Sequence, residues 1–198
     1  MKKRLNWIYG IILVLFLYIL YYFKDSDHFL GAISFVLTIL LFHLSDKVFK
    51  IEFKIYHYII IILMALFGLL FSPFYFIFPF YDKVLHLVNP FLGCFLVFYI
   101  INKLKIDLKT KLIFTFSVLI TLVTFAEIVE FLLDSFFDLK LQGVFEGDFV
   151  GTFKILSGEF RVLQDRITDT MFDLIFGVLG GISFVFVKLF SKKIKDKY

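Results

Sequence analysis

Residues Leu163–Val187 read LQDRITDTMFDLIFGVLGGISFVFV. From Leu174 to Val187 no residue is charged, while Asp165, Asp169 and Asp173 stand at a spacing of four just ahead of that run. On a 3.6-residue period, steps of four drift only about 40° each, so the three carboxylates stay on one side of a helix. Crossing the hydrocarbon core takes about 20 mostly apolar residues. The stretch is therefore expected to be a membrane helix with acids along one face at its start.

The whole chain fits that reading. Its 198 residues are 61% hydrophobic and 21% aromatic, with 31 Phe, and the mean hydropathy is +0.93. Apolar runs this long and continuous exclude a barrel, leaving helices as the structure that satisfies the backbone in lipid. The fold class expected is an all-α polytopic membrane protein, a six-transmembrane-helix bundle forming a single domain over 1–198. The spans expected are Leu5–Phe23, His28–Leu44, Ile55–Phe71, Val84–Ile101, Leu112–Leu133 and Thr168–Val187. The first has a basic flank like a signal peptide, but its apolar part is too long and lacks a small-residue cleavage site, so it reads as a retained helix. The lone Cys94 excludes an intramolecular disulfide.

Charge gives the orientation. The N-terminus, Asp46–Lys54, Asn102–Lys111 and the C-terminal tail hold 15 of the 21 Lys and Arg, which by the positive-inside rule makes both termini cytoplasmic. The acids run the other way, with 13 of 17 outside or in the outer halves of spans. Acids contribute little to orientation, so this skew is a separate signal that the outer face uses carboxylates. The longest outer loop, 138–162, is broken by Gly143, Gly147, Gly151 and Gly158. Within it, GDFVGTFKILSGEF (Gly147–Phe160) hints at a hairpin that could cover the outer end of the bundle.

Three charged groups fall inside spans, where such residues usually face the bundle interior or a water-filled cavity. Asp82 and His86 are four apart on one helix face, with Pro90 freeing the His86 carbonyl. Asp82 and Lys83 can also be read as ordinary interfacial charges at a helix start. Glu127, Glu130 and Asp134 form a stripe near a helix C-terminus, where the dipole disfavours acids. Asp165, Asp169 and Asp173 form the third group, with Arg161 and Arg166 as candidate partners. The fourth and sixth spans start outside and the fifth ends there, so all three groups reach a similar depth and could wall one outer-leaflet pocket. Carboxylates with one imidazole suit Mg²⁺, Mn²⁺ or Zn²⁺. The candidate metal ligands are Asp82, His86, Glu127, Glu130, Asp165, Asp169 and Asp173. Glu127, Glu130 and Asp169 are the candidates for catalysis, and Arg161 and Arg166 for substrate binding. Gly177 and Gly181 form a small-xxx-small pair that lets a neighbouring helix pack closely.

These residues resemble two sets of small bacterial membrane proteins. Glu127-Ile128-Val129-Glu130-Phe131, Gln164-Asp165, Asp169-Thr170-Met171 and Asp173 are similar to features of the YjdF-like uncharacterised family. Asp82-Lys83-Val84-Leu85-His86, Glu127, Arg166, Asp169 and Gly177–Gly181 resemble, less closely, the VanZ-like pattern. That pattern's Gln after the glutamate and its Asn in the last helix are missing here. The YjdF-like resemblance covers about Asp82 to Gly181 and implies an integral membrane protein of the cell envelope without established chemistry.

No nucleophile triad, phosphate-binding Gly loop or Cys/His zinc pattern appears. The function expected is a membrane protein with an outer-leaflet acidic/His site, a candidate for metal binding, that binds or processes a lipid head group or other envelope component. The alternatives are a cation- or proton-coupled transporter and a non-catalytic assembly factor. Membrane lipids are the expected partners, and nucleic acid is not.

Overall fold

The computed structural model of the protein describes residues 29–71, 74–75, 78, 80–137, 142–146 and 161–195. The described residues are helical apart from short turns and one pair of short antiparallel strands. The helices are α1 (Phe29–Phe49), α2 (Ile55–Ala65), α3 (Tyr81–Ile101), α4 (Leu108–Phe137) and α5 (Arg166–Lys195); the strands are β1 (Val144–Glu146) and β2 (Arg161–Gln164). Helices α3, α4 and α5 are long and apolar enough to cross a membrane, and Ile55–Leu69 is a shorter apolar helix. The expected span Leu5–Phe23 lies outside the described residues.

The chain divides into two compact units, Met1–Pro73 with Phe149–Leu156, and Phe74–Asp148 with Ser157–Tyr198. In the first, α2 passes into a π turn at Leu66–Leu70. The link from α1 to α2 places Lys50 and Glu52 at φ 51° and 62°, the left-handed region that non-glycine residues seldom enter. Asp46 holds this turn. One of its oxygens accepts the Phe53 N–H at 3.0 Å and the other the Tyr58 hydroxyl at 2.6 Å. Phe42 stacks on Phe53 with ring centroids 4.6 Å apart beside them.

The second unit is built on α3, α4 and α5. Its core is Cys94, Leu112, Leu119 and Phe184, ringed by Phe91, Phe95, Phe98 and Val123. Phe184 meets Phe95 edge to face, centroids 4.9 Å apart. Outward residues such as Phe125, Phe131, Ile167, Phe186 and Phe190 remain exposed on apolar helices, the surface that a membrane-embedded protein presents to lipid.

The helix ends have local causes. Asp107 caps α4 through the Thr110 N–H at 3.1 Å. Lys111 donates to the Asn102 carbonyl at the end of α3, at 3.0 Å. Asp165 caps α5 by accepting the N–H groups of Ile167 and Thr168 at 3.1 and 3.0 Å. Helix α3 continues through the buried Pro90. Helix α5 runs beyond the expected end at Val187 to Lys195. The charge that suggested a stop, Lys188, lies over the Phe98 and Phe95 rings at 4.8 and 5.3 Å, which favours an ammonium in an apolar setting.

Close packing of α5 uses glycines on two faces. A Cβ on Gly177 would meet Val123 of α4 at 2.9 Å, and one on Gly181 would meet Phe116 of α4 at 3.0 Å. Gly180 faces α3, where a Cβ would fall 2.3 Å from the Leu87 carbonyl oxygen. The small-residue pair read from the sequence thus serves α4, and the tightest approach belongs to the glycine between its members.

The hairpin sets Val144 opposite Gln164, Phe145 opposite Val162 and Glu146 opposite Arg161, with a bulge between Val144 and Phe145. Its paired residues flank the stretch expected to form one, and Gly147–Phe160 itself lies outside the described residues.

Candidate functional site: a carboxylate cluster around Lys83 and His86

The starts of α3 and α5 and the C-terminal part of α4 meet at one end of this unit, and the polar side chains meet with them. At the centre is Lys83. Its Nζ donates to Asp82 Oδ2 at 2.8 Å, to Asp173 Oδ1 at 2.7 Å, and to Asp169 Oδ1. Lys83 and Asp82 are each 7% exposed, Asp169 3% and Asp173 2%. Burying charges is costly unless they are paired and hydrogen-bonded, and one ammonium with three donors meets three acids here.

His86 lies one turn further along α3. Its Nε2 is 3.4 Å from Asp82 Oδ1 and 4.0 Å from Asp173 Oδ1. Its Nδ1 is 3.5 Å from Glu127 Oε1 on α4. Glu127 is 4% exposed, and that oxygen has no hydrogen-bond partner. Asp82, His86 and Asp173 each offer one ligand atom, and these lie within 4.8 Å of one another. Counting Glu127, Glu130, Asp82, Asp169 and Asp173 against Lys83 and His86 leaves the cluster acidic overall.

Supporting contacts come from the chain on either side. The Tyr75 hydroxyl, ahead of α3, donates to the Asp82 side chain. Burial pushes this phenol well above its ordinary value, and the Asp82 and Glu130 carboxylates add to the shift. The base of the hairpin is tied down as well. The Gly143 N–H donates to Asp169 Oδ2 at 2.6 Å, and the Gln142 N–H to Asp134 Oδ2 at 2.9 Å. The Gln142 amide donates to Thr170 Oγ1 at 2.9 Å. Both Asp169 oxygens are thus taken, one by Lys83 and one by the hairpin backbone.

Of the residues singled out from the sequence, the structure brings together Asp82, His86, Glu127, Asp169 and Asp173, with Glu130 near enough to act on Tyr75. Asp165 is not with them. It is exposed, and hydrogen bonds from Thr168 hold its carboxyl below the usual range. Arg166, the first residue of α5, is exposed on the wall of a neighbouring groove. The backbone of Arg161 pairs in β2, and its side chain lies outside the described residues. The cation inside the cluster is Lys83, where the sequence had offered Arg161 or Arg166. Gln142 and Tyr75 were missed as well. The Asp-Lys-x-x-His run was the one signal that could have placed Lys83 there.

Two carboxylates and an imidazole can hold a transition-metal or zinc ion, and the His86 ring is oriented for it. Its Nε2 faces the two aspartates while Nδ1 faces a buried carboxylate. Glu127 Oε1 accepts no hydrogen bond from the ring at 3.5 Å; a closer approach would let this carboxylate fix the tautomer of a ligating histidine.

No curated protein and no solved structure matches the chain. A family model described as "Predicted membrane protein (DUF2238)" matches residues 4–193. The match extends through the first three expected spans, where the motifs quoted above are silent, and lends nothing to the VanZ-like likeness. The chain belongs to the DUF2238 family of predicted membrane proteins.

Proposed function

We propose that this is a multi-pass cell-membrane protein that holds a divalent cation at Asp82, His86 and Asp173 and uses it to engage a lipid head group at the outer leaflet. The observation that carries this reading is the orientation of His86, with Nε2 at 3.4 and 4.0 Å from the two aspartates and Nδ1 at 3.5 Å from Glu127. The imidazole donor favours Zn²⁺ or Mn²⁺ over Mg²⁺, which prefers oxygen ligands. Such an ion supplies Lewis-acid chemistry, either holding a phosphate oxygen or lowering the pKa of a bound water. Glu127 and Glu130 stand beside it as acid–base groups. Asp169 serves instead as a positioning residue, since Lys83 and Gly143 occupy its oxygens.

Metal content and melting temperature test the site. Protein purified without chelator should contain about one divalent ion per chain, and adding chelator should lower its melting temperature. An ion present at about 100 times its dissociation constant stabilises the fold by roughly 2.7 kcal/mol. His86→Ala and Asp173→Asn should lose the chelator response, while Asp165→Asn, outside the cluster, should keep it. Absence of metal, with identical melting in both buffers, would reject the site. It would favour the second reading, a proton- or cation-coupled transporter, for which the three-carboxylate embrace of Lys83 already supplies the counter-ion.

The proposed topology has six spans with both termini cytoplasmic, from the basic asymmetry of the connections. Single cysteines near Lys50, Lys105 and Lys195 should react with a membrane-impermeant thiol reagent only after permeabilisation, and one at Phe149 should react in intact cells. The native Cys94 is 0% exposed and should give little background. A C-terminus labelled from outside would overturn this orientation.

A further inference from the structure

Two cations have a claim on one oxygen of the cluster. Asp173 Oδ1 accepts the Lys83 ammonium at 2.7 Å. The same oxygen faces His86 Nε2 at 4.0 Å, as a ligand shared with that imidazole would. Metal–ligand bonds of about 2.0–2.2 Å put an ion on that oxygen within about 5 Å of Nζ. Like charges that close repel strongly in a low-dielectric interior, and Lys83, 7% exposed, has little water to turn to.

Its other two contacts give it somewhere to go. Asp82 divides its oxygens, with Oδ2 at 2.8 Å from Lys83 and Oδ1 at 3.4 Å from His86 Nε2, so ion and ammonium can share that carboxylate. Asp169 gives Oδ1 to Lys83 and Oδ2 to the Gly143 N–H. It stands outside the three residues whose ligand atoms lie together. Gly143 has φ 97°, a conformation that residues with a Cβ seldom adopt. Its amide pins Asp169 with the other oxygen turned to the lysine.

We infer that Lys83 determines the affinity of the site: its ammonium holds the Asp82 and Asp173 carboxylates when no divalent ion is there, and an entering ion displaces it from Asp173 onto Asp169. This inference rests on the proposed cation site and names its regulation. The acids are never left bare, because one cation or the other always sits among them. The lysine therefore makes the ion exchangeable, where the same ligands without it would hold the ion fast. Lys83 stays charged throughout; it changes partner, not protonation.

Mn²⁺ titration of the full chain in detergent tests this, with free Mn²⁺ counted by its electron paramagnetic resonance signal. Removing a lysine that only braces the carboxylates would loosen the ligands and weaken binding. Removing a competitor strengthens it. Lys83→Met should therefore bind Mn²⁺ about tenfold or more tightly than the wild type, the scale of one relieved like-charge contact. Asp169→Asn keeps the lysine but removes its retreat, and should bind about tenfold more weakly than the wild type. The double variant Lys83→Met with Asp169→Asn leaves fewer acids unpaired. Compared with Asp169→Asn alone, it repeats the measurement should Lys83→Met fail to fold. Binding no tighter without the lysine in either pair, while the wild type binds Mn²⁺, would overturn the inference and leave the cation site standing. Mn²⁺ bound by neither the wild type nor the lysine-free proteins would remove the cation site and the inference with it. Mn²⁺ bound by Lys83→Met and not by the wild type would uphold the inference, with the ammonium winning the carboxylates.

Discussion

Replacing Lys83 with Met should destabilise the protein by roughly 3–5 kcal/mol, the usual cost of removing one partner from a buried charge cluster. Met has nearly the length and breadth of a lysine stem, so the loss reports the ammonium more than a cavity. Without it, Asp82, Asp169 and Asp173 keep their positions, each 7% exposed or less, with no ammonium between them. Their mutual repulsion and desolvation then act against the folded state. The effect should shrink when acids are removed along with the lysine. Lys83→Met with Asp169→Asn and Asp173→Asn should recover a large part of the loss, because residues in one network do not contribute additively. Reversible unfolding in a fixed detergent mixture measures all three proteins on one scale. If Lys83→Met unfolds together with the wild type, the acids do not depend on that ammonium, and a bound cation becomes the better account of their burial.

That Lys83 matters this much was not legible from its surroundings in the sequence. It follows an acid at a helix start, where a basic residue ordinarily snorkels to the interface. What buries it is the arrival of α5 from about 90 positions along the chain, and no local period records such a contact. The acids were easier to find, because spacings of three and four on apolar helices mark one face whatever packs against it. Asp165 shows where that rule stops. It shares the spacing of Asp169 and Asp173 but precedes the first helical residue, Arg166. A residue in the capping position turns its side chain back to the first N–H groups rather than along the helix face, and periodicity does not reach it. Gln142 escaped for another reason. Its backbone and amide link Asp134 to Thr170, a role fixed by a loop geometry that a lone glutamine does not announce. Three of the expected spans, those of α3, α4 and α5, were legible from length and flanking charge. Their ends were less so, since α5 passes through Lys188 by setting it over phenylalanine rings.

Gly180→Ala should be nearly as damaging, and for a reason that joins the packing to the site. The added Cβ would lie 2.3 Å from the Leu87 carbonyl oxygen and 3.2 Å from the Phe91 nitrogen. Both are backbone atoms of α3, which cannot rotate aside, so the two helices must separate. Overpacking typically costs about 1–3 kcal/mol, and a backbone clash belongs at or beyond the top of that range. The gain of about 1 kcal/mol from exchanging Gly for Ala in a helix offsets only part of it. Gly177→Ala is the control. Its Cβ would meet Val123 Cγ1 at 2.9 Å, a side-chain rather than a backbone atom; Val is stiff in a helix, so the contact costs something, but less than the backbone clash at Gly180 once the same helix gain is counted. The difference should extend to the cluster. Gly180 and Asp173 are seven residues apart on α5, about two turns or roughly 10 Å, and Leu87 adjoins His86 on α3. Any shift that relieves the clash draws Asp173 away from Lys83 and His86 together. Gly180→Ala should therefore lose both melting temperature and chelator response, whereas Gly177→Ala keeps more of both. A Gly180→Ala protein that melts with the wild type would mean that α3 and α5 do not approach as closely as Leu87 and Gly180 place them, and the three-carboxylate grip on Lys83 would loosen with that distance.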